Sequence, residues 1–254
     1  MGREAMTMLR LDGIGHAFLG RTVLDGIDLD IGSGELVALV GPSGSGKSTL
    51  AHIAAGLIEP RKGRIRRGYV RQAVIFQEPR LMPWATAGDN IAFGLTAEPL
   101  GRKAVRQRVA AVAARVALEA RDLDKFPSQL SGGMRQRTAI ARALVANPDF
   151  IFFDEPFTAL DVALKRRMQD IVIGTVAETG LSGLFITHDV AEAVRIAHRI
   201  AVLDRNGRGI AGSRMVPLAP GARDDRMVFE TAQAFLGADR LFAHVNDCDE
   251  RRLA

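Results

Sequence analysis

An α/β fold built on a parallel sheet is what the 254-residue sequence predicts. Three features point there. The apolar run from Leu36 to Val40 leads into a glycine-rich loop and then a helical pattern. The same strand-then-helix rhythm recurs between Phe150 and Ala197, as in a sheet whose parallel strands are joined by crossover helices. Ahead of the loop, Ile27, Leu29 and Ile31 fall at period two, the pattern of half-buried antiparallel strands.

Taken in order, residues 8–31 alternate short apolar segments with turns and predict antiparallel strands. Glu35 to Val40 is a buried strand by composition, and Lys47 to Leu57 is a helix with Leu50, Ile53, Ala54 and Leu57 on one face. Ile65, Tyr69 and Val70, then Val74 to Phe76, predict one or two further strands that stop at Gln77-Glu78-Pro79, because proline cannot donate to a ladder. From about Ala87 the chain turns helical: Val105, Val109, Val112 and Val116 share a face, with arginines largely off it. Residues 85–147 therefore predict an inserted helical subdomain, ending in a helix that Ser131 N-caps and Asn147-Pro148 stops. Phe150 to Phe153 is a continuous apolar strand closed by Asp154-Glu155-Pro156. A helix over Val162 to Thr179, a strand over Leu184 to Thr187, a helix over Val190 to Ala197 and a strand over Ile200 to Leu203 follow, with a hairpin turn at Asp204-Arg205-Asn206-Gly207. Beyond Gly212 the pattern weakens to one helix around Thr231 to Leu236 and a frayed last ten residues.

The loop itself reads Gly41-Pro42-Ser43-Gly44-Ser45-Gly46-Lys47-Ser48-Thr49. Its spacing, between strand and helix, is that of a phosphate-binding loop. Glycines let successive backbone N–H groups turn inward on phosphate oxygens, and the helix N-terminus adds the positive end of its dipole. Lys47 would reach the β- and γ-phosphates and the Ser48 hydroxyl a Mg²⁺ ion. Asp154 and Glu155, at the carboxyl end of a buried strand, are costly unless something uses them. Ser131-Gly132-Gly133 at a helix start is a second anion site on the same principle.

Composition bounds the rest. With 47% hydrophobic and 25% charged residues the chain is globular, and no stretch approaches the roughly 18 consecutive apolar residues of a membrane span. The start, MGREAMTMLRL, carries Glu4 and no apolar core of signal-peptide length, so the cytoplasm is expected. The single cysteine, Cys248, excludes an internal disulfide framework. The net charge of +5 is scattered over Arg61 to Arg71, Arg102 to Arg115 and Arg135 to Arg142. A solvated basic surface accounts for it, with no nucleic acid expected and anionic lipid headgroups as another neighbour.

Leu130-Ser131-Gly132-Gly133-Met134-Arg135-Gln136-Arg137, together with the loop and the carboxylates in this order, resembles the ATP-binding cassette ATPases over roughly residues 8–210. The resemblance implies a P-loop NTPase (RecA-like) core with a small antiparallel β subdomain and an inserted helical subdomain: residues 1–214 as the ATPase domain, 215–254 as an unassigned tail. It implies ATP and Mg²⁺, with Gly41 to Thr49 as the phosphate cradle and Ser48, Gln77 and Asp154 as metal contacts. Glu155 would be the general base, His188 the switch on the γ-phosphate, and Phe18 the ring stacked on adenine. Asp161 would lie across a dimer interface, and Ser131, Gly132 and Gly133 would close over ATP held by a second subunit, so that two chains sandwich two nucleotides.

The run Phe76-Gln77-Glu78-Pro79-Arg80-Leu81-Met82-Pro83-Trp84, followed by Asp89-Asn90-Ile91, resembles the importer ATPases of the nitrate, sulfonate and taurine type. That implies a cytoplasmic subunit on the inner face of the cell membrane, working with a transmembrane permease and, indirectly, a periplasmic or extracellular solute-binding protein. An exporter or lipid-transport ATPase, or a soluble cassette ATPase acting on ribosomes or nucleic acid, is the alternative. The chain departs from the family pattern in a short Leu57 to Gln77 segment, in Thr158 for serine, and in the tail from about Met215, to which the resemblance assigns no regulatory domain.

Overall fold

The computed structural model describes residues 6–245; the expectations for the extreme N-terminus, for Cys248 and for a frayed C-terminus lie essentially outside them. The chain divides into two compact units, one of residues 1–69 with 173–254, the other of residues 70–172.

The first unit opens with two long strands, β1 (Thr7–Phe18) and β2 (Arg21–Gly32), paired antiparallel, with β4 (Lys62–Arg67) on the other edge of β1. Within β1 there is a bulge: Gly13 takes φ +61 and the register shifts between Leu11 and Ile14, but pairing resumes. A bulge keeps two strands in one ladder while re-aiming the chain.

Parallel strands β3 (Leu36–Val40) and β7 (Ser182–Ile186) are buried at every position, which is why Leu36 to Val40 and Leu184 to Ile186 show no alternation; β7 starts two residues before its predicted start at Leu184, on Ser182 and Gly183. β8 (Arg199–Leu203) lies parallel on the other side of β3, and β9 (Ile210–Met215) closes the row antiparallel to β8. The expected turn joins them, with the Gly207 N–H bonded to the Asp204 carbonyl at 2.9 Å.

Helix α1 (Lys47–Ala54) ends a turn earlier than its apolar pattern predicts. Gly56 takes φ +77 there, and Arg67 of β4 donates to the carbonyls of Ala54 at 3.0 Å and Ile53 at 3.3 Å. The guanidinium satisfies helix-end carbonyls that would otherwise invite another turn.

In the second unit, β5 (Gln72–Ile75) and β6 (Phe150–Asp154) run parallel. Helices α2 (Ala87–Ala92), α3 (Arg102–Arg115) and α4 (Gly132–Leu144) form the helical part. Val109 and Val112 of α3 are buried and its arginines face outward, as the pattern predicts. The Ser131 hydroxyl accepts from the Met134 N–H at 3.2 Å and caps α4. Helix α5 (Val162–Thr179) keeps the predicted bounds and supplies residues to both units.

Between residues 216 and 245 the chain is not loose. After α6 (Val190–Ile196), β8 and β9, the helix α7 (Asp225–Ala238) packs on α6 through Val228 and Ala232. It starts earlier than its apolar pattern predicts because Asp224 caps it from the Met227 N–H at 2.8 Å.

Candidate functional site

The first unit carries the phosphate loop. β3 delivers the chain to Gly41 at the carboxyl end of a buried parallel strand, where ligands of α/β sheets bind. The loop then turns through Gly44 at φ +80 and Gly46 at φ +101, so both glycines sit where a side chain would be strained. At Gly46 there is also no room, since a Cβ would lie 2.8 Å from Leu24 Cδ2 and 3.1 Å from Val23 Cγ1. Gly46 is the N-cap of α1, so Lys47, Ser48 and Thr49 occupy its first turn.

Lys47 is buried, and its Nζ donates to the carbonyls of Gly41 and Pro42, each at 2.8 Å. The ammonium therefore sits on the concave side of the loop. Ser45 Oγ is buried without a hydrogen-bond partner among the described residues, and such a group is costly unless a polar ligand reaches it. A cation, an orphaned hydroxyl and a left-handed backbone at a helix N-terminus together fit a phosphate.

His188 follows β7. The pairing of Leu39 with Ile186 and the bond from the Thr187 N–H to the Leu39 carbonyl at 3.4 Å set His188 beside the start of the loop. Asp189 caps α6 from the N–H groups of Ala191 and Glu192, so His188 is exposed at the head of that helix. Phe18, at the end of β1, is 47% exposed and packs edge-on to His16 at 4.6 Å and 71°. Its open face suits stacking on a planar ring.

The second unit carries the carboxylates. The register that pairs Val74 with Phe152 and Ile75 with Phe153 puts Gln77 level with Glu155 at the ends of β5 and β6. Gln77 Nε2 donates to Glu155 Oε2 at 3.5 Å. Asp154 is buried while Glu155 is half-buried, so the two neighbours face different surroundings. Glu155 has φ +45, an uncommon state for a residue with a side chain, and strain of this kind concentrates at functional sites. The Thr158 hydroxyl supports that turn by donating to the Glu155 carbonyl at 3.1 Å.

Among the described residues no three acidic, histidine or cysteine side chains gather. Mg²⁺ takes hard oxygen ligands and needs no such cage; Ser48 in the first unit, and Gln77 and Asp154 in the second, each carry an oxygen of that kind.

Ser131 and the first turn of α4 form the remaining predicted site. A Cβ on Gly132 would meet nothing closer than Arg135 Nη2 at 3.9 Å, and one on Gly133 nothing closer than Leu160 at 3.6 Å. The chain's own packing therefore does not require glycine at either place. Asp161 caps the start of α5, its Oδ1 accepting from the Leu164 N–H at 2.9 Å.

Sequence reasoning missed Gln136. It is 1% exposed on α4, and its Nε2 donates to the Pro156 carbonyl at 2.6 Å and the Phe76 carbonyl at 3.3 Å, the residues flanking Glu155 and Gln77. Its place in the Met134-Arg135-Gln136-Arg137 run was the available signal. Arg142, two turns further along α4, donates to the carbonyls of Arg80 and Pro79, both at 2.9 Å, and its burial holds the guanidinium below its ordinary pKa.

The description "ABC transporter" fits residues 24–158 of this chain as a family. The aliphatic sulfonates import ATP-binding protein of Mesorhizobium japonicum is 43% identical over 223 residues, 86% of this chain and 82% of that protein. The protein of the same name from Nocardia farcinica is 41% identical over 238 residues, covering 91% of this chain and 94% of its own length. Among solved structures, a dimeric ATP-binding cassette in a post-hydrolysis state bound to ADP and Pi superposes with a TM-score of 0.76 at 28% identity, covering 83% of this chain and all of that one. A dimeric bacterial ABC transporter cassette gives 0.77 at 29% identity over the same shares.

Proposed function

The chain belongs to the ABC transporter family of ATP-binding cassette ATPases, and from that premise we propose that it is the ATP-hydrolysing subunit of an importer for aliphatic sulfonates or similar small anions. The observation that carries the chemistry is the Gln77–Glu155 pair at the carboxyl ends of two adjacent parallel strands. The relatives named as sulfonate import proteins support the substrate class, and the dimeric cassettes support action as a pair.

Phosphoryl transfer asks little covalent chemistry of the protein; it asks for positioning and for neutralisation of charge on the equatorial oxygens. Lys47 and the amides of Gly41 to Thr49 hold the β- and γ-phosphates, and Phe18 stacks on the adenine. Ser48, Asp154 and Gln77 hold Mg²⁺, which when bound neutralises charge on the phosphates. Glu155 accepts the proton of the attacking water, Gln77 orients that water, and His188 contacts the γ-phosphate.

Ser131, Gly132 and Gly133 close over the nucleotide of a second copy, and Asp161 lies at that interface. Glycines that the chain's own packing does not require support an approach from outside. The cassette proper spans residues 1–214, and 215–254 is an appended segment. No helix among the described residues is long and apolar enough to cross a membrane. The relatives named as import ATP-binding proteins support transport through a separate permease on whose cytoplasmic side this subunit sits, fed by a solute-binding protein.

Glu155→Gln tests the reading. ATP binding should persist and an ATP-bound dimer should accumulate, while turnover falls by about a hundredfold or more. Hydrolysis at the wild-type rate would refute the base assignment. Loss of growth on aliphatic sulfonates as sulfur source in a deletion strain would support the substrate class, and unimpaired growth would refute it.

A further inference from the structure

We propose that Gln136 is a positioning residue for the hydrolytic step, setting the backbone on which Glu155 and Gln77 are presented; this rests on the reading of Glu155 as the base. Three observations within the second unit carry it.

The first is the target of its two hydrogen bonds. Nε2 spends both protons on the carbonyls of Pro156 and Phe76, the residue after Glu155 and the residue before Gln77. One carboxamide thus ties together the ends of β5 and β6 where their ladder stops. The ladder itself runs from Gln72–Phe150 to Ile75–Phe153.

The second is that this orientation is the only workable one. Gln136 Oε1 is buried and has no hydrogen-bond partner among the described residues. A flipped amide would aim that oxygen at two carbonyl oxygens and leave the NH₂ unpaired, which is worse on both counts. A buried acceptor left unmatched costs stability, so the side chain's retention in the core points to a use for the donor end.

The third is the strain it holds. Glu155 keeps φ +45, a conformation that persists only when its surroundings over-determine it. The Gln136 bond to the Pro156 carbonyl and the Thr158 hydroxyl on the Glu155 carbonyl both pin the chain just after the Cα of that residue. Removing either support allows the carboxylate to swing off the line that it shares with Gln77.

Gln136 also stands on the helix that begins at Ser131, four residues on from Gly132. Any shift of α4 when its N-terminus meets the partner's nucleotide is felt at Pro156 and Phe76 through the same carboxamide.

The test is Gln136→Met, which keeps length and burial and removes the donor. The expected result is a fall in kcat of about ten- to a hundredfold, the scale of a small misplacement of a reacting group, with the KM for ATP unchanged within about twofold. In the Glu155→Gln background the same change should leave the ATP-trapped dimer intact by gel filtration, since the effect runs through the base.

An unchanged kcat overturns the proposal. So does loss of the trapped dimer or a parallel rise in KM, because either would assign Gln136 to holding α4 and not to aiming Glu155. If Gln136→Met does not fold, Thr158→Val decides: it is exposed, and should lower kcat by about threefold or more at unchanged KM, with an unchanged kcat refuting the idea. Failure of the base assignment itself is separate, since it appears as turnover retained in Glu155→Gln alone.

Discussion

Replacing Arg223 by methionine should unfasten the C-terminal segment from the first unit. Arg223 is 6% exposed, yet among the described residues no carboxylate pairs with it. Its guanidinium donates instead to backbone carbonyls: Nε to Pro217 at 2.8 Å, Nη1 to Ala197 at 2.8 Å and to Val194, and Nη2 to Leu218 and, at 3.4 Å, to Val216. Val194 and Ala197 are at the C-terminal end of α6, where helix carbonyls lack intrahelical partners and a cation is favoured by the dipole.

Burial lowers the Arg223 pKa to about 10, so the group is still charged at neutral pH. Methionine keeps much of the apolar stem but leaves those carbonyls without a donor. Those of Pro217 and Leu218 belong to exposed residues and can take water, while that of the buried Val216 is held only by the longest of these bonds, at 3.4 Å. The two on α6 are enclosed, and each buried orphan costs about 1–2 kcal/mol. The expected loss is therefore about 2–4 kcal/mol. Urea unfolding followed by circular dichroism measures it, and Arg223→Lys, with a charge but no planar fork, should fall between the two. A loss below about 1 kcal/mol for the methionine variant would refute the view that this guanidinium is what holds the segment.

Two further outcomes follow from the site and its neighbourhood. Gly46→Ala would place a Cβ 2.8 Å from Leu24 Cδ2 at φ +101, and strain with overpacking should cost about 2–4 kcal/mol and weaken ATP binding by calorimetry; undiminished affinity would show that the loop tolerates rebuilding. His198 accepts from the Leu36 N–H through Nδ1 at 3.0 Å, and burial, with the Arg223 charge nearby, holds its pKa below the ordinary value of 6.5. The folded protein therefore keeps it neutral where the unfolded chain protonates it. That costs nothing above pH 6.5, and stability falls as the pH drops from 6.5 toward the lowered value. His198→Asn should flatten this part of the stability–pH curve between pH 7 and 5.5, and an unchanged slope would place the loss in other groups.

Much of this protein was legible from its residues alone. The phosphate loop, the four-residue core of β6 ending in Asp154 and Glu155, the Ser131 cap and both ends of α5 are all encoded within a dozen residues or fewer. Glycine spacing, apolar periodicity and capping chemistry are short-range signals that one stretch of chain carries complete. That Gln77 and Glu155 serve one site was implied only by the resemblance, since they stand 78 positions apart and nothing local links them.

What the tertiary structure alone decided has a common physical form. Arg67 ends α1, Gln136 joins Phe76 to Pro156, and Arg223 gathers the carbonyls of α6 and the segment after β9. Each is a side chain donating to backbone oxygens far away in sequence. Every residue carries a carbonyl, so the acceptor leaves no mark on residue type, and the donor reads as an ordinary glutamine or arginine. Only the folded chain determines which carbonyls come within reach.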